Sequence, residues 1–310
     1  MSRLKFFEED DNNPTAIAEP IVQQAPIEQK LSPSKEARYR IEQQNIIKVD
    51  GNLASSTLAK RQYHFSINNV EMKGEIILEE SHLDFGNTTL KQLGHFINRT
   101  DELKDRVLFT LNQKGKVQEI INTDHLKQKW ESFKKQDLPQ DPFIKELIDF
   151  DPKKVADIVK AGDEEYSDFK LMRNNLEINL FYDIILDQYL FSKDYNDFKY
   201  DNKSVISHLF NTNIDLYFSS RLLSENEDSF TLTKTSKVVF VNLHDIAAQY
   251  QANYQPTVKY AFTDFDYLHE QSVIISKSDG LIDSALATIT ETVKNNIESI
   301  VLFKLTRVKL

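Results

Sequence analysis

The amino-acid sequence predicts an α+β protein in which an antiparallel sheet packs on a central helical segment, preceded by an extended or disordered N-terminal tail. Three observations carry this expectation. Apolar residues alternate with period two before about residue 122 and again after residue 214. Between those stretches they recur three and four residues apart, the spacing of one helix face. Ahead of both, Pro14, Pro20, Pro26 and Pro33 interrupt the chain every six or seven residues. Each proline removes a backbone donor and restricts its predecessor, so no helix of useful length fits there.

The tail is taken as residues 1–55 and a single α+β domain as 56–310, with strands in 60–122, helices in 123–192 and strands in 214–310. Within the tail the prolines stop after Pro33, and Lys35-Glu36-Ala37-Arg38-Tyr39-Arg40-Ile41-Glu42 reads as a short helix. The domain opens with a hairpin: Tyr63, Phe65 and Ile67 share a face, Asn68-Asn69 turns the chain at positive φ, and Met72 to Leu78 returns. A third short strand is expected near His82 to Leu90. In the next hairpin Val107, Phe109 and Leu111 alternate, Gln113-Lys114-Gly115-Lys116 turns, and Val117 to Ile121 returns.

Thr123 or Asp124 then caps a helix whose stripe is Leu126, Trp130 and Phe133. Short amphipathic helices follow, one around Phe143, Leu147 and Ile148 ending before Pro152, another around Val155, Ile158 and Val159 ending at Gly162. A longer, well-buried helix is expected from Glu164 to Phe191. Strands resume at Ile214 to Leu222 and Phe230 to Val241, with a helical turn or two at His244 to Tyr250. The last third reads as a meander: Thr257 to Phe265, Gln271 to Ile275, the Asp279-Gly280 turn, Leu281 to Val293, and Ile300 to Leu310. Hairpins of this kind imply antiparallel pairing, because parallel pairing needs a long crossover.

Composition excludes several chemistries. The chain of 310 residues has no cysteine, which removes disulfides, thiol nucleophiles and thiolate metal sites. Twenty Phe and 12 Tyr supply bulky core material. The net charge of −10 repels a phosphate backbone on average, so nucleic acid is not an expected partner. The basic cluster Lys127, Lys129, Lys134 and Lys135 is interleaved with Glu131 and Asp137, as on a solvated helix face. The first apolar stretch stops at Phe7 before acidic residues and no apolar run is long enough to span a bilayer, so a cytoplasmic location is expected.

No catalytic or cofactor signature emerges. The seven glycines lie too far apart for a dinucleotide fingerprint or a P-loop. The seven histidines are isolated, without HExxH or HxH spacing. Asp264-Phe265-Asp266 with His269-Glu270 is the densest set of ligand types; strand alternation would put both aspartates on one face, where they could chelate a hard cation or act as a hydrolase pair. A solvated strand end with turn residues is the better account of them. No catalytic residue, metal site or cofactor is therefore assigned.

The tail offers the stronger signal. Ile17, Ile21, Val22, Ile27 and Leu31 stand beside prolines, and Phe6-Phe7 precedes an acidic run. A merely solubilising leader would carry fewer large apolar side chains, whereas an extended segment with spaced anchors can lie along a partner. The expected function is thus non-catalytic binding or assembly. The tail would dock on a protein partner or a neighbouring copy, as in secretion or phage-tail-like machines. Two alternatives are a carrier that holds an apolar ligand between sheet and helices, and a hydrolase using carboxylates near Asp264 and Asp266.

Overall fold

The computed structural model describes residues 34–86, 91–191 and 202–309. In chain order the elements are β1 (Lys35–Val49), β2 (Asn52–Asn68), β3 (Lys73–Phe85), α1 (Lys91–Asp101), β4 (Arg106–Leu111) and β5 (Val117–Ile120). The helical middle follows as α2 (Thr123–Gln136), α3 (Pro142–Phe150), α4 (Pro152–Ser167), α5 (Phe169–Ile178) and α6 (Leu180–Ile185). The second half holds β6 (Lys203–Ile206), β7 (Asn213–Glu225), β8 (Ser229–Val241), α7 (Leu243–Asn253), α8 (Gln255–Val258), β9 (Phe265–Ser276), β10 (Ile282–Val293) and β11 (Ile297–Val308).

All eleven strands form one sheet in the order β5-β4-β3-β2-β1-β11-β10-β9-β8-β7-β6. Each half of the chain is an antiparallel meander, and the two are joined where β1 pairs with β11. The α+β class and antiparallel pairing stand as read from the sequence. Each turn has its own chemistry. Gly280 takes φ +72 between β9 and β10, and Asn295 takes φ +60 between β10 and β11, conformations that Gly and Asn tolerate. In the β2–β3 turn the Asn68 side chain accepts from the backbone of Val70 and Glu71, and positive φ falls on Met72 and not on an asparagine.

Alternation divides the sheet into two faces. The inner face carries Ala37, Tyr39 and Ile41 of β1, Tyr63, Phe65 and Ile67 of β2, and Phe303 and Leu305 of β11, all buried. At this end the helical middle covers it. Phe181 of α6 is fully buried, stacks on Tyr63 at 4.0 Å and meets Tyr39 edge-on at 6.4 Å. Burying one such ring contributes about 1.5–3 kcal/mol. At the far end Ile246 and Tyr250 of α7 pack with Phe210, Val293 and Ile297 in a second cluster.

Several expectations change. Residues 35–49 form the strand that joins the two meanders, not a short helix in a leader, and β2 takes up the rest of the segment from residue 52 to 55. Lys, Glu, Ala and Arg favour a helix, but propensity is a weak prior; Ala37, Tyr39 and Ile41 alternate inward and β2 and β11 supply hydrogen bonds on both edges. The strand expected from His82 is the continuation of β3, beyond which α1 was not anticipated. The single helix expected over 164–191 is the end of α4 followed by three helical pieces, because Asp168, Asn179 and Asp187 each accept a backbone N–H as a cap and restart the chain. Helix α4 passes through Gly162 without stopping. Residues 255–258 are helical and 259–264 form no regular element, so no strand forms where Thr257 to Phe265 was expected; β9 takes in the strand expected at Gln271 to Ile275. The segment containing Phe6, Phe7, Ile17, Ile21, Val22, Ile27 and Leu31 lies outside the described residues.

Candidate functional site

Two features stand out: a charged pocket between the sheet and the helices, and an outer sheet face that no described element covers. The pocket begins with polar residues that fall in phase with the apolar alternation. Along β8, Phe230 and Leu232 point inward and Lys234 and Ser236 follow them on the same face. Along β9, His269 and Gln271 lie between the inward Tyr267 and Val273. Lys234 pairs across the strands with Gln271, and the His269 N–H donates to Ser236 Oγ at 2.8 Å. The Phe218 ring of β7 stands edge-on to the His269 ring at 5.2 Å.

The helical middle supplies the opposite wall. Asp187 is 1 % exposed, forms an ion pair with Lys234 and accepts the Gln188 N–H at 2.6 Å. Asp183 of α6 pairs with Lys203 of β6 at 2.9 Å and with Lys116 at 3.3 Å. Lys116 arrives from the β4–β5 turn, where Gly115 takes φ +74 and a Cβ would overlap the Asp187 backbone. Glycine is required there twice over, for the dihedral and for the approach. These groups enclose a cavity of about 220 Å³, lined also by Phe218 and Gln271.

Its electrostatics follow from the pairing. Burial alone would raise the Asp183 carboxyl, but Lys203, Lys116 and Lys234 outweigh it and hold the group well below the usual carboxylate range. Burial pushes the His269 imidazole down to about 4, so it is neutral at pH 7. Two buried nitrogens, His269 Nε2 and Gln271 Nε2, have no hydrogen-bond partner among the described residues. Leaving such a group unmatched costs about 1–3 kcal/mol. The lysines and carboxylates in the lining suit a polar guest.

No family model matches the chain, and no curated protein matches it. Solved structures do. One is a lipovitellin structure concerned with lipid–protein interactions, 11 % identical with a TM-score of 0.44, the match covering 90 % of this chain and 26 % of that one. The chain therefore spans about a quarter of the length of that structure's chain. No family membership follows from a likeness this distant.

The carboxylates singled out from the sequence are exposed. Asp264 precedes β9, Asp266 and Glu270 lie on its exposed outer face, and His269 points inward. Among the described residues no three His, Asp or Glu side chains could hold a metal ion. His208 and His244, the other histidines near possible partners, play structural parts or face solvent. Glu291, 1 % exposed, accepts from Ser207 Oγ at 2.5 Å and from the His208 and Leu209 backbone, fixing the turn before β7. The pocket residues were missed because they are far apart in sequence. Their one sequence signal is a charged or amide side chain in phase with inward apolar neighbours, as at Lys234 and Gln271.

No described element covers the outer face across the middle of the sheet. The register aligns Ile46 of β1, Ile300 of β11, Thr290 of β10 and Leu268 of β9 in one row. Leu302 follows Ile300 on the same face of β11 and Leu286 lies farther along β10, opposite Lys304; they are 40 % and 60 % exposed. No described helix is long and apolar enough to cross a membrane.

Proposed function

We propose that this chain is a non-catalytic binding and assembly protein, with residues 1–33 as a docking arm and the eleven-stranded sheet as the body that receives it. The observation that supports the reading is the outer-face row Ile46, Ile300, Thr290 and Leu268, with Leu302 next to it and Leu286 farther along β10, over which no described helix lies. Partly exposed apolar side chains grouped on a sheet face offer a surface that a partner segment can cover. The occupant in this proposal is the arm of a neighbouring copy. Its anchors Ile17, Ile21, Val22, Ile27 and Leu31 match the row in chemistry. The arm feeds into β1, which itself carries one end of the row. Fifteen extended residues reach about 50 Å, whereas four adjacent strands span only about 14 Å. Phe6 and Phe7 extend the same arm, and the cytoplasmic setting read from the sequence belongs to this proposal.

Light scattering coupled to size exclusion tests it on the full chain. The wild type should self-associate in a concentration-dependent way. Full-length Ile21→Asp/Val22→Asp and Leu286→Lys/Leu302→Lys should each shift the equilibrium toward monomer by at least tenfold, since each removes two apolar contacts worth about 1.5–3 kcal/mol when fully buried. A monomer at every concentration, or an oligomer that either variant leaves intact, overturns the reading.

A further inference from the structure

The charged pocket lies on the inner side of the sheet, opposite the outer row, and what it binds does not depend on the docking proposed above. The geometry points to a site for a small organic oxyanion, of about ten non-hydrogen atoms, held by Lys116, Lys203 and Gln271 against the Phe218 ring.

The sign of the guest follows from which groups are already matched. Asp183 has Lys203 and Lys116, and Asp187 has Lys234 and the Gln188 N–H. A cation would have to displace a lysine from one of these carboxylates. Donors, by contrast, are in surplus. A lysine ammonium carries three N–H bonds; Lys203 directs two of them, to Asp183 at 2.9 Å and to the Glu177 carbonyl at 3.4 Å. Lys116 reaches the side chain and carbonyl of Asp183, both at 3.3 Å. Gln271 lines the same cavity, is 95 % buried, and its amide nitrogen has no partner among the described residues. A guest rich in acceptor oxygens satisfies these donors, whereas a hydrocarbon would leave them unmatched.

Size and shape narrow the class. An engineered cavity of about 150 Å³ accepts benzene, so about 220 Å³ admits a guest a few atoms larger. Phe218 gives one wall an apolar surface for a short carbon skeleton, beside the lysines that face its charged end. A carboxylate and a phosphate ester share this chemistry, and separate probes distinguish them.

Isothermal titration of the full-length protein with succinate, with inorganic phosphate and with succinamide, at matched ionic strength, tests the site. One of the two oxyanions should bind saturably with one site per chain, and succinamide at least tenfold more weakly; the better oxyanion identifies the head group. Gln271→Leu keeps every charge and similar volume, and should weaken binding at least tenfold while circular dichroism stays unchanged. Lys203→Met should weaken it further; should that variant unfold because Asp183 loses a partner, Gln271→Leu still decides. Failure of both oxyanions to saturate beyond matched sodium chloride, equal binding of succinamide, or unchanged affinity in Gln271→Leu overturns the assignment. None of these results depends on whether the chain self-associates.

Discussion

Replacing Gly162 with alanine sets two opposing effects against each other, and the packing around Trp130 decides between them. Gly162 lies inside α4, where alanine in place of glycine would normally stabilise a helix by about 1 kcal/mol. Here the added Cβ would overlap the Trp130 ring, and even the third-nearest ring atom, Cε2, would stand 2.8 Å away. The ring cannot simply step aside. Its Nε1 donates to Asp163 at 2.8 Å, its face stacks on Tyr166 at 5.5 Å with planes 3° apart, and Phe133 closes another side at 6.0 Å. Overpacking a tight site costs about 1–3 kcal/mol. With ring atoms overlapped and the ring held on three sides, the upper part of that range applies, about 2–3 kcal/mol, and less the helix gain it leaves a loss of about 1–2 kcal/mol, or about 1.5–3 °C in Tm for a chain of this size. Trp130 is the one tryptophan, so urea unfolding followed by its fluorescence reads the perturbed site directly. In a Trp130→Leu background the overlap disappears and Gly162→Ala should become neutral or stabilising by circular dichroism. A Gly162→Ala protein as stable as wild type, or the same penalty in both backgrounds, would refute the packing argument.

Three further perturbations address the core and the pocket. Lys234→Met leaves the Asp187 carboxylate buried without its ion-pair partner and should cost about 3–5 kcal/mol in urea denaturation; a loss below 1 kcal/mol would show the pair to be solvated. Phe181→Ala empties the space between Tyr39, Tyr63 and Tyr182 and should cost about 3–5 kcal/mol, measured by the same titration. For His269 the folded-state pKa of about 4 lies below the ordinary value of 6.5. The unfolded chain therefore binds the extra proton first, and this contribution to stability is complete above pH 6.5 and lost as the pH falls from 6.5 to about 4. It amounts to about 3 kcal/mol at most, and His269→Gln should flatten the stability profile across that window; an unchanged slope would contradict it.

Much of the architecture was legible because its causes are local. The β7 and β8 strands, the Asp279-Gly280 turn, and the β10 and β11 strands fall close to where alternation and turn chemistry place them. The same holds for the Leu126, Trp130 and Phe133 stripe of α2, all three buried. Errors arose where local preference and tertiary context disagree. Lys35 to Glu42 has the composition of a helix, and only the ladders to β2 and β11 make it a strand. Glu164 to Phe191 has a continuous apolar content, and the caps at Asp168, Asn179 and Asp187 break it, a signal present in the residues but outweighed by periodicity.

By itself, then, the sequence determined the α+β class, the antiparallel pairing and the exclusion of thiol chemistry, since period, turn residues and composition act within a few residues. Only the tertiary structure decided that the two meanders join through β1 and β11 into one sheet, and that Lys116, Asp183, Lys203, Lys234 and Gln271 share a cavity. Those choices depend on contacts between residues tens to hundreds of positions apart. The alternation along one strand specifies which side chains face inward, but not which neighbour they meet.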